Sequence, residues 1–347
     1  MKKFLLKVAL FSLPFLCLYI VNRFLYDTKE GDLVRLGYLY SNPSPKSSIS
    51  SKYNLTKHYT LLSQIDLKQK NNFDLITIGD SFSEQKNLGY QNFIDHNGLE
   101  VIHIDRFISG DNPIQTLVGL LNSDFFNYIR ADYIVLQSVE RHFNSRSAKI
   151  DFNSTIDRDS ICSQINSYKK KTPNYDLQFF SDATLKIPLT NFQYNFQAKP
   201  KYSKTYKYTS INNKLFSDAP NELLFYQDDI DKLKIKNDSL HIMESIEVIE
   251  SINDKVNKHN MKLIMLVSPD KYDLYYDFIK DNKDLTAPIF FKKYEQAKKK
   301  YINVDSYKLL NEKIQLQRDI YYYDDTHWSP KGAEIISDEI LKIITTK

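Results

Sequence analysis

Apolar residues follow two rhythms along this chain. Short runs with almost no polar interruption occur at Phe73–Ile78 (FDLITI), Leu99–Ile104 (LEVIHI), Asp132–Ser138 (DYIVLQS) and Lys262–Ser268 (KLIMLVS), with a shorter one at Ile302–Val304. Runs of this kind predict strands buried on both faces. Between them, apolar positions recur every three or four residues, as at Pro113–Leu121 and Tyr272–Ile279. The same spacing continues through Leu240–Asn260, where Ile242, Ile246, Ile249 and Ile252 line one face, and through Pro330–Ile344. Ser329-Pro330 is a helix start, an N-cap followed by a proline that needs no amide partner. Strands alternating with helices predict an α/β fold built on a parallel sheet.

Two stretches do not share this alternation. Residues 27–70 are polar, with Ser, Pro and Lys in SNPSPKSSISSKY, and read as a stalk or a first irregular layer ahead of the main domain at 71–347. Residues 144–228 are rich in Asn, Ser, Lys and Tyr and read as an irregular insertion, or as a glycan- or partner-binding subdomain, between the third and fourth strands.

The first 26 residues set the compartment. Lys2, Lys3 and Lys7 precede an apolar stretch from Val8 to Val21 that only Ser12 and Pro14 interrupt. With Phe4–Leu6 added and Lys7 snorkelling, it reaches roughly the 20 residues of a bilayer span. Arg23, Phe24 and Leu25 stand where small residues would mark a cleavage site, and Phe15 and Leu16 are too bulky for a lipoprotein reading of Cys17. The expectation is an uncleaved signal anchor at 1–26. Three lysines before the span against one arginine after it place the N-terminus in the cytoplasm and the rest outside it, periplasmic or at the cell surface. Cys17 would lie in the membrane and Cys162 alone outside, so no disulfide is expected.

Composition narrows the function. Lys and Arg number 47 against 43 Asp and Glu, a net charge of +4 over 347 residues, which does not suit a nucleic-acid binder. Two cysteines exclude a disulfide framework and a cysteine-rich metal site. The 25 tyrosines and 21 phenylalanines suit a large core and a sugar-facing groove.

Two motifs carry candidate chemistry. Gly79-Asp80-Ser81-Phe82-Ser83 follows the first long strand, where open α/β sheets form their sites, so Ser81 is the candidate nucleophile. The second is Asp324-Asp325-Thr326-His327-Trp328-Ser329, just before the last helix. A serine needs a base, and the base needs an acceptor on its other ring nitrogen. Of seven histidines only His327 has such an acidic neighbourhood. His103 reads as a core histidine, and His58, His96, His241 and His259 as surface residues. No second cluster has spacing that would complete a metal site with Asp324, Asp325 and His327, so neither metal nor cofactor is expected.

Together the two motifs resemble the SGNH (GDSL-type) hydrolase superfamily over roughly residues 72–345. The stretches GDSFS, QSVER (Gln137–Arg141), SPDKYDLYY (Ser268–Tyr276) and DDTHWS resemble its alginate O-acetyltransferase branch, whose members carry a D-T-H-W motif. In the alginate enzymes that motif precedes the serine, whereas here Ser81 comes first, the ordinary superfamily order. The resemblance implies a three-layer α/β/α fold with Ser81 as nucleophile, His327 as general base and acid, and Asp325 as orienter, Asp324 being the fallback. It implies an oxyanion hole from the Ser81 amide and Gly110. The superfamily's third-block Asn position holds Val139, so Gln137, Ser138 or Arg141 would have to replace that donor. Arg141, Lys271, Tyr272 and Trp328 are the expected substrate contacts, with Glu140-Arg141 alternatively an ion pair and His142 its neighbour.

The function this implies is O-acetyl transfer to an extracytoplasmic polysaccharide, with a membrane-bound O-acyltransferase partner delivering the acetyl group. An esterase using the same triad, D-alanyl transfer to teichoic acid, and a glycan-binding or assembly protein are the other readings.

Overall fold

A computed structural model describes residues 1–26, 31–40, 49, 52–53, 55, 58–104, 108, 111–158, 160–161, 183–219 and 221–346. The strands are β1 (Thr60–Leu61), β2 (Asn71–Ile78), β3 (Val101–Ile104), β4 (Ile129–Val139), β5 (Thr205–Thr209), β6 (Glu222–Tyr226), β7 (Lys262–Ser268) and β8 (Ile302–Asn303). The helices used below are α1 (Lys2–Leu25), α2 (Asp32–Gly37), α3 (Tyr90–His96), α4 (Pro113–Leu121), α5 (Glu140–Ser147), α6 (Ala183–Gln193), α7 (Gln227–Asp231), α8 (Leu233–Lys236), α9 (Ser239–Lys258), α10 (Lys271–Tyr275), α11 (Phe290–Gln296), α12 (Ser306–Ile314) and α13 (Pro330–Thr345).

Six strands form one parallel sheet in the order β1-β3-β2-β4-β7-β8. Each central strand divides its side chains between two cores, as a strand covered on both faces must. Ile76 and Ile78 of β2, Ile134 and Leu136 of β4, and Leu263, Met265 and Val267 of β7 face α4, α9 and α11. Leu75, Tyr133, Val135, Ile264 and Leu266 face α3, α12 and α13 on the other side. The result is a three-layer α/β/α sandwich. From β2 the chain passes first to β3 on one side and then to β4 on the other, so the sheet reverses its winding at β2. Sites in such sheets form outside the carboxyl ends of the strands at that reversal.

The two stretches outside the alternation hold more structure than their composition suggests. Within 144–228, residues 144–147 complete α5, and β5 and β6 form an antiparallel hairpin. The hairpin buries Leu223, Leu224 and Phe225, an apolar core that Asn- and Lys-rich flanks hide in a compositional reading. Within 27–70, β1 extends the sheet edge, and α2 packs Leu33 and Val34 against Leu224 of the hairpin. α1 is 24 residues long, apolar enough to cross a membrane, and contains Pro14. Cys162 lies outside the described residues.

Candidate active site

The turn that carries Ser81 is shaped by what lies beneath it. Gly79 leaves β2 where any Cβ would fall 2.0 Å from Ser83 Oγ and 2.6 Å from Gln137 Oε1, so only glycine fits. Gln137 Oε1 accepts from the Asp80 amide (2.8 Å) and Ser83 Oγ (2.9 Å), while its Nε2 donates to Ser268 Oγ (2.9 Å). Asp80 is buried, and its carboxylate accepts from Phe82 N (3.1 Å), Val139 N (2.7 Å) and Arg146 Nη1 (2.5 Å). Burial alone would raise its pKa, but the Arg146 guanidinium and the two amides outweigh this and hold it well below the usual carboxylate range. Asp80 is thus the pin that ties the carboxyl ends of β2 and β4 together. With the Phe82 amide taken by Asp80, the Ser81 N–H donates to no group among the described residues.

On the other side, the loop between α12 and α13 folds back on itself. Tyr322 N donates to His327 O (3.2 Å) and Ser329 N to Ile320 O (2.9 Å). Ser329 Oγ caps α13 by accepting from Lys331 N (3.1 Å). Asp325 Oδ1 lies 2.6 Å from His327 Nδ1, and His327 Nε2 is buried without a hydrogen-bond partner. Asp324 is used differently. Its Oδ2 accepts from Gly31 N (3.1 Å) and its carbonyl from Leu33 N (2.9 Å), so it docks the start of α2. A Cβ at residue 31 would lie 2.2 Å from Asp324 O, which accounts for Gly31. This docking brings a carboxylate oxygen of Asp32 within 4.8 Å of Asp325 and His327. Asp32 is also paired with Arg35 at 2.5 Å.

The two motifs meet through Phe82, whose ring centroid is 4.7 Å from that of His327 and 4.8 Å from that of Trp328. Ser81, next in sequence, is half-buried. No hydrogen bond joins Ser81 Oγ to His327 in this structure. Gly110 lies outside the described residues.

The expected substrate contacts are placed otherwise. Lys271 is fully buried, and its ammonium donates to the carbonyls of Tyr322 (2.7 Å), Tyr323 (2.5 Å) and Asp325 (3.3 Å). All three of its protons are spent on the loop that carries His327, so it cannot also reach a substrate. Burial pushes its pKa down to about 7, against the raising influence of Asp324 and Asp325. Tyr272 is fully buried with its hydroxyl on Thr286 O (3.0 Å). Trp328 is fully buried against Phe82 and Tyr90 and holds α13 rather than facing outward. In this structure all three side chains are buried behind the site. Arg141 meets Asp229 (3.2 Å) and Asp270 (2.7 Å), with its guanidinium committed to both. Gln137 and Ser138 are equally occupied, the latter accepting from Arg146 Nη1 (2.9 Å).

Arg141 belongs to a buried charge cluster that the sequence did not disclose. Lys236 Nζ sits among Asp270 (2.7 Å), Asp273 (3.0 Å) and Glu140 (3.1 Å), and Asp229 completes it, so four carboxylates surround two cations. Burial, then the neighbouring Asp270 carboxylate, pushes Asp229 up to about 8. Glu140 is likewise raised, by burial and then Asp273. Glu140, Asp270 and Asp273 are close enough to hold a cation, and the Lys236 ammonium takes that place. His142 beside the cluster is pushed down to about 4 by burial and by Arg141 and Arg146. Arg146, Lys236 and Asp229 were missed because nothing local in the sequence separates a buried ion from a solvated one.

A parallel α/β/α sheet with a serine turn at its winding reversal, and an Asp–His pair before the last helix, defines an SGNH-like domain. Comparison with known proteins agrees with that class. Residues 218–347 match the family model described as SGNH hydrolase-like domain, acetyltransferase AlgX. The chain is similar to the probable alginate O-acetylase AlgJ of Pseudomonas syringae pv. tomato, 26% identical over 115 residues, 33% of this chain and 29% of that protein. It is also similar to the probable alginate O-acetylase AlgJ of Pseudomonas putida, 23% identical over 108 residues, 30% of this chain and 28% of that protein. The chain therefore spans less than a third of the length of these curated relatives. No solved structure matches. The family match contains Asp325 and His327 and begins only after Ser81, at residue 218. The chain thus resembles the alginate O-acetyltransferase branch of the SGNH superfamily, and this likeness supports an acetyltransferase-related enzyme.

Proposed function

We propose that this chain is a membrane-anchored, extracytoplasmic O-acetyltransferase that modifies a polysaccharide through an acetyl-Ser81 intermediate. The observation that supports it most is the 2.6 Å Asp325–His327 contact, with the other imidazole nitrogen buried and unpartnered beside the nucleophile turn. Asp325 holds the Nδ1 proton, which leaves Nε2 as the lone-pair base. The reaction requires the Ser81 hydroxyl to reach Nε2 when the acyl donor enters, a tightening that unliganded sites commonly require.

Ser81 Oγ attacks the acetyl carbonyl while Nε2 takes its proton. The oxyanion accepts from the Ser81 amide, which donates to no group among the described residues. Collapse breaks the carbonyl's bond to the donor, whose oxygen or sulfur recovers the proton from His327. A sugar hydroxyl then gives its proton to His327 and attacks the acetyl-serine, and Ser81 leaves protonated. The acetyl group is delivered by a membrane-bound O-acyltransferase, near which α1 as an anchor holds the domain.

The test is full-length protein with an activated acetyl ester, with and without an oligosaccharide acceptor. Acetylated oligosaccharide that disappears with Ser81→Ala and with His327→Ala supports transfer. Fast hydrolysis that an acceptor does not divert identifies an esterase instead. Polymer acetylation in cells that survives Ser81→Ala refutes the acyl-enzyme.

A further inference from the structure

α6 packs along the last turns of α1 in a way its sequence dictates. Pro188 has no N–H, so the carbonyl of Thr184, four residues earlier, lacks its helical partner. The side chain of Asn22 supplies one, with Nδ2 donating to Thr184 O at 2.7 Å. Asn22 is completely buried in this contact, the first residue of α1 to be so. Around it Tyr19 of α1 and Tyr26, the residue that follows the helix, pack with Ala183 and Ile187 of α6 and with Tyr38 and Tyr40. Asn191 fixes the far end, its Oδ1 accepting from Tyr40 N (3.0 Å) and its Nδ2 donating to Tyr38 O (2.7 Å).

With Thr184, Ile187 and Thr190 turned inward, the opposite face of α6 should be polar. It is not. Leu185, Leu189 and Phe192, continued by Phe196 in the turn just past the helix, recur at intervals of four, three and four, and are 56, 44, 63 and 76% exposed. Beside this stripe lies a basic and aromatic margin: Lys186 and Lys201 over the Tyr202 ring (5.5 and 5.8 Å) and Lys199 over the Tyr206 ring (5.4 Å). Apolar side chains on one face, with lysine and tyrosine along the edge, suit a helix lying in the plane of a membrane interface.

What covers the stripe follows from where α6 sits. A span of about 20 residues counted from Phe4 ends near Arg23. Asn22 therefore fixes α6 at the outer end of the span. We propose that the outward face of α6 is buried in the outer interfacial layer of the bilayer that α1 enters, a second and in-plane membrane contact that sets the tilt and height of the domain. This rests on α1 being the anchor and is independent of the chemistry at Ser81.

Full-length Phe192→Trp and Phe196→Trp proteins, reconstituted in phosphatidylcholine–phosphatidylglycerol vesicles with or without brominated acyl chains, test it. The natural Trp328 is fully buried and serves as the background. Leu316→Trp, at a position 78% exposed after α12, is the water-facing comparator. Emission from positions 192 and 196 should fall about twofold or more in brominated vesicles and resist acrylamide, with position 316 doing the reverse. If positions 192 and 196 are quenched by acrylamide alone, the face points to water and the proposal fails. If neither agent quenches them, protein covers the face and the proposal fails equally. Protein that does not float with vesicles at all would overturn the anchor as well, whereas no outcome here bears on acetyl transfer.

Discussion

Replacing Lys271 by methionine keeps the length and the apolar stem of the side chain and removes the ammonium. Two carbonyls lose close donors, Tyr322 O at 2.7 Å and Tyr323 O at 2.5 Å, and Asp325 O loses a longer one at 3.3 Å. Leaving each close acceptor buried and unpaired would cost about 1–3 kcal/mol, offset by no longer burying a charge. The loop has a cheaper course, since Tyr323 and His327 at its surface are only half-buried and the backbone can turn its carbonyls to water. The expected stability loss is therefore no more than about 2–3 kcal/mol, while the displaced loop carries Asp325 and His327 away from Ser81. A shift of about 1 Å at such a group costs on the order of 100-fold in kcat. KM should scarcely change, because the side chain has no exposed surface. A pH signature separates positioning from mere packing. With a folded pKa of about 7 against 10.5 unfolded, the native state sheds its proton first, so stability gains from this group as pH rises between those values. Urea midpoints at pH 7 and pH 10 should show that rise in the parent protein and lose it in Lys271→Met. A variant with parental kcat, or one whose defect is wholly in KM, would refute the positioning role.

The adjacent acids should separate by function. Asp325→Asn should lower kcat by about 10³–10⁴-fold with little effect on the melting temperature, as expected for the partner of an imidazole base. Asp324→Asn should leave most of the activity but loosen α2, read as faster amide exchange at Gly31 and Leu33. Asp229 is raised from 3.8 to about 8 in the fold, so the native state holds the extra proton and stability should fall as pH rises across that window. Asp229→Asn should flatten the decline in unfolding midpoint between pH 5 and pH 8; an unchanged slope would remove this group as its source.

The sheet was legible because each central strand is buried on both faces and so reads as a continuous apolar run, and Pro113–Leu121 coincides with its helix. The hairpin was not, since alternating Thr and Tyr in TYKYT resemble the polar residues around them. Nor was α2, whose reason for existing is a partner 293 positions away, Asp324. At the site, Asp325 and His327 sit two residues apart on one loop, so their contact is encoded locally. Lys271, Tyr272 and Trp328 were read from their chain positions beside the site motifs, and their side chains are buried in this structure. A position after a strand fixes nearness to the crevice, while the direction of a side chain depends on the layer that covers it. Arg146 was invisible for the same reason: its partner Asp80 lies 66 positions earlier.

The Gly31 amide on the Asp324 carboxylate has a geometric consequence for the proposed acetyl transfer. Five peptide units separate Tyr26 from Gly31, and a fully stretched chain of that length reaches no more than about 18 Å. With α1 in the bilayer, the imidazole loop is on a leash barely longer than half a membrane's thickness. On the proposed function, a polymer would have to descend to the lipid surface to be modified, and a donor emerging from the membrane would have only that short gap to cross.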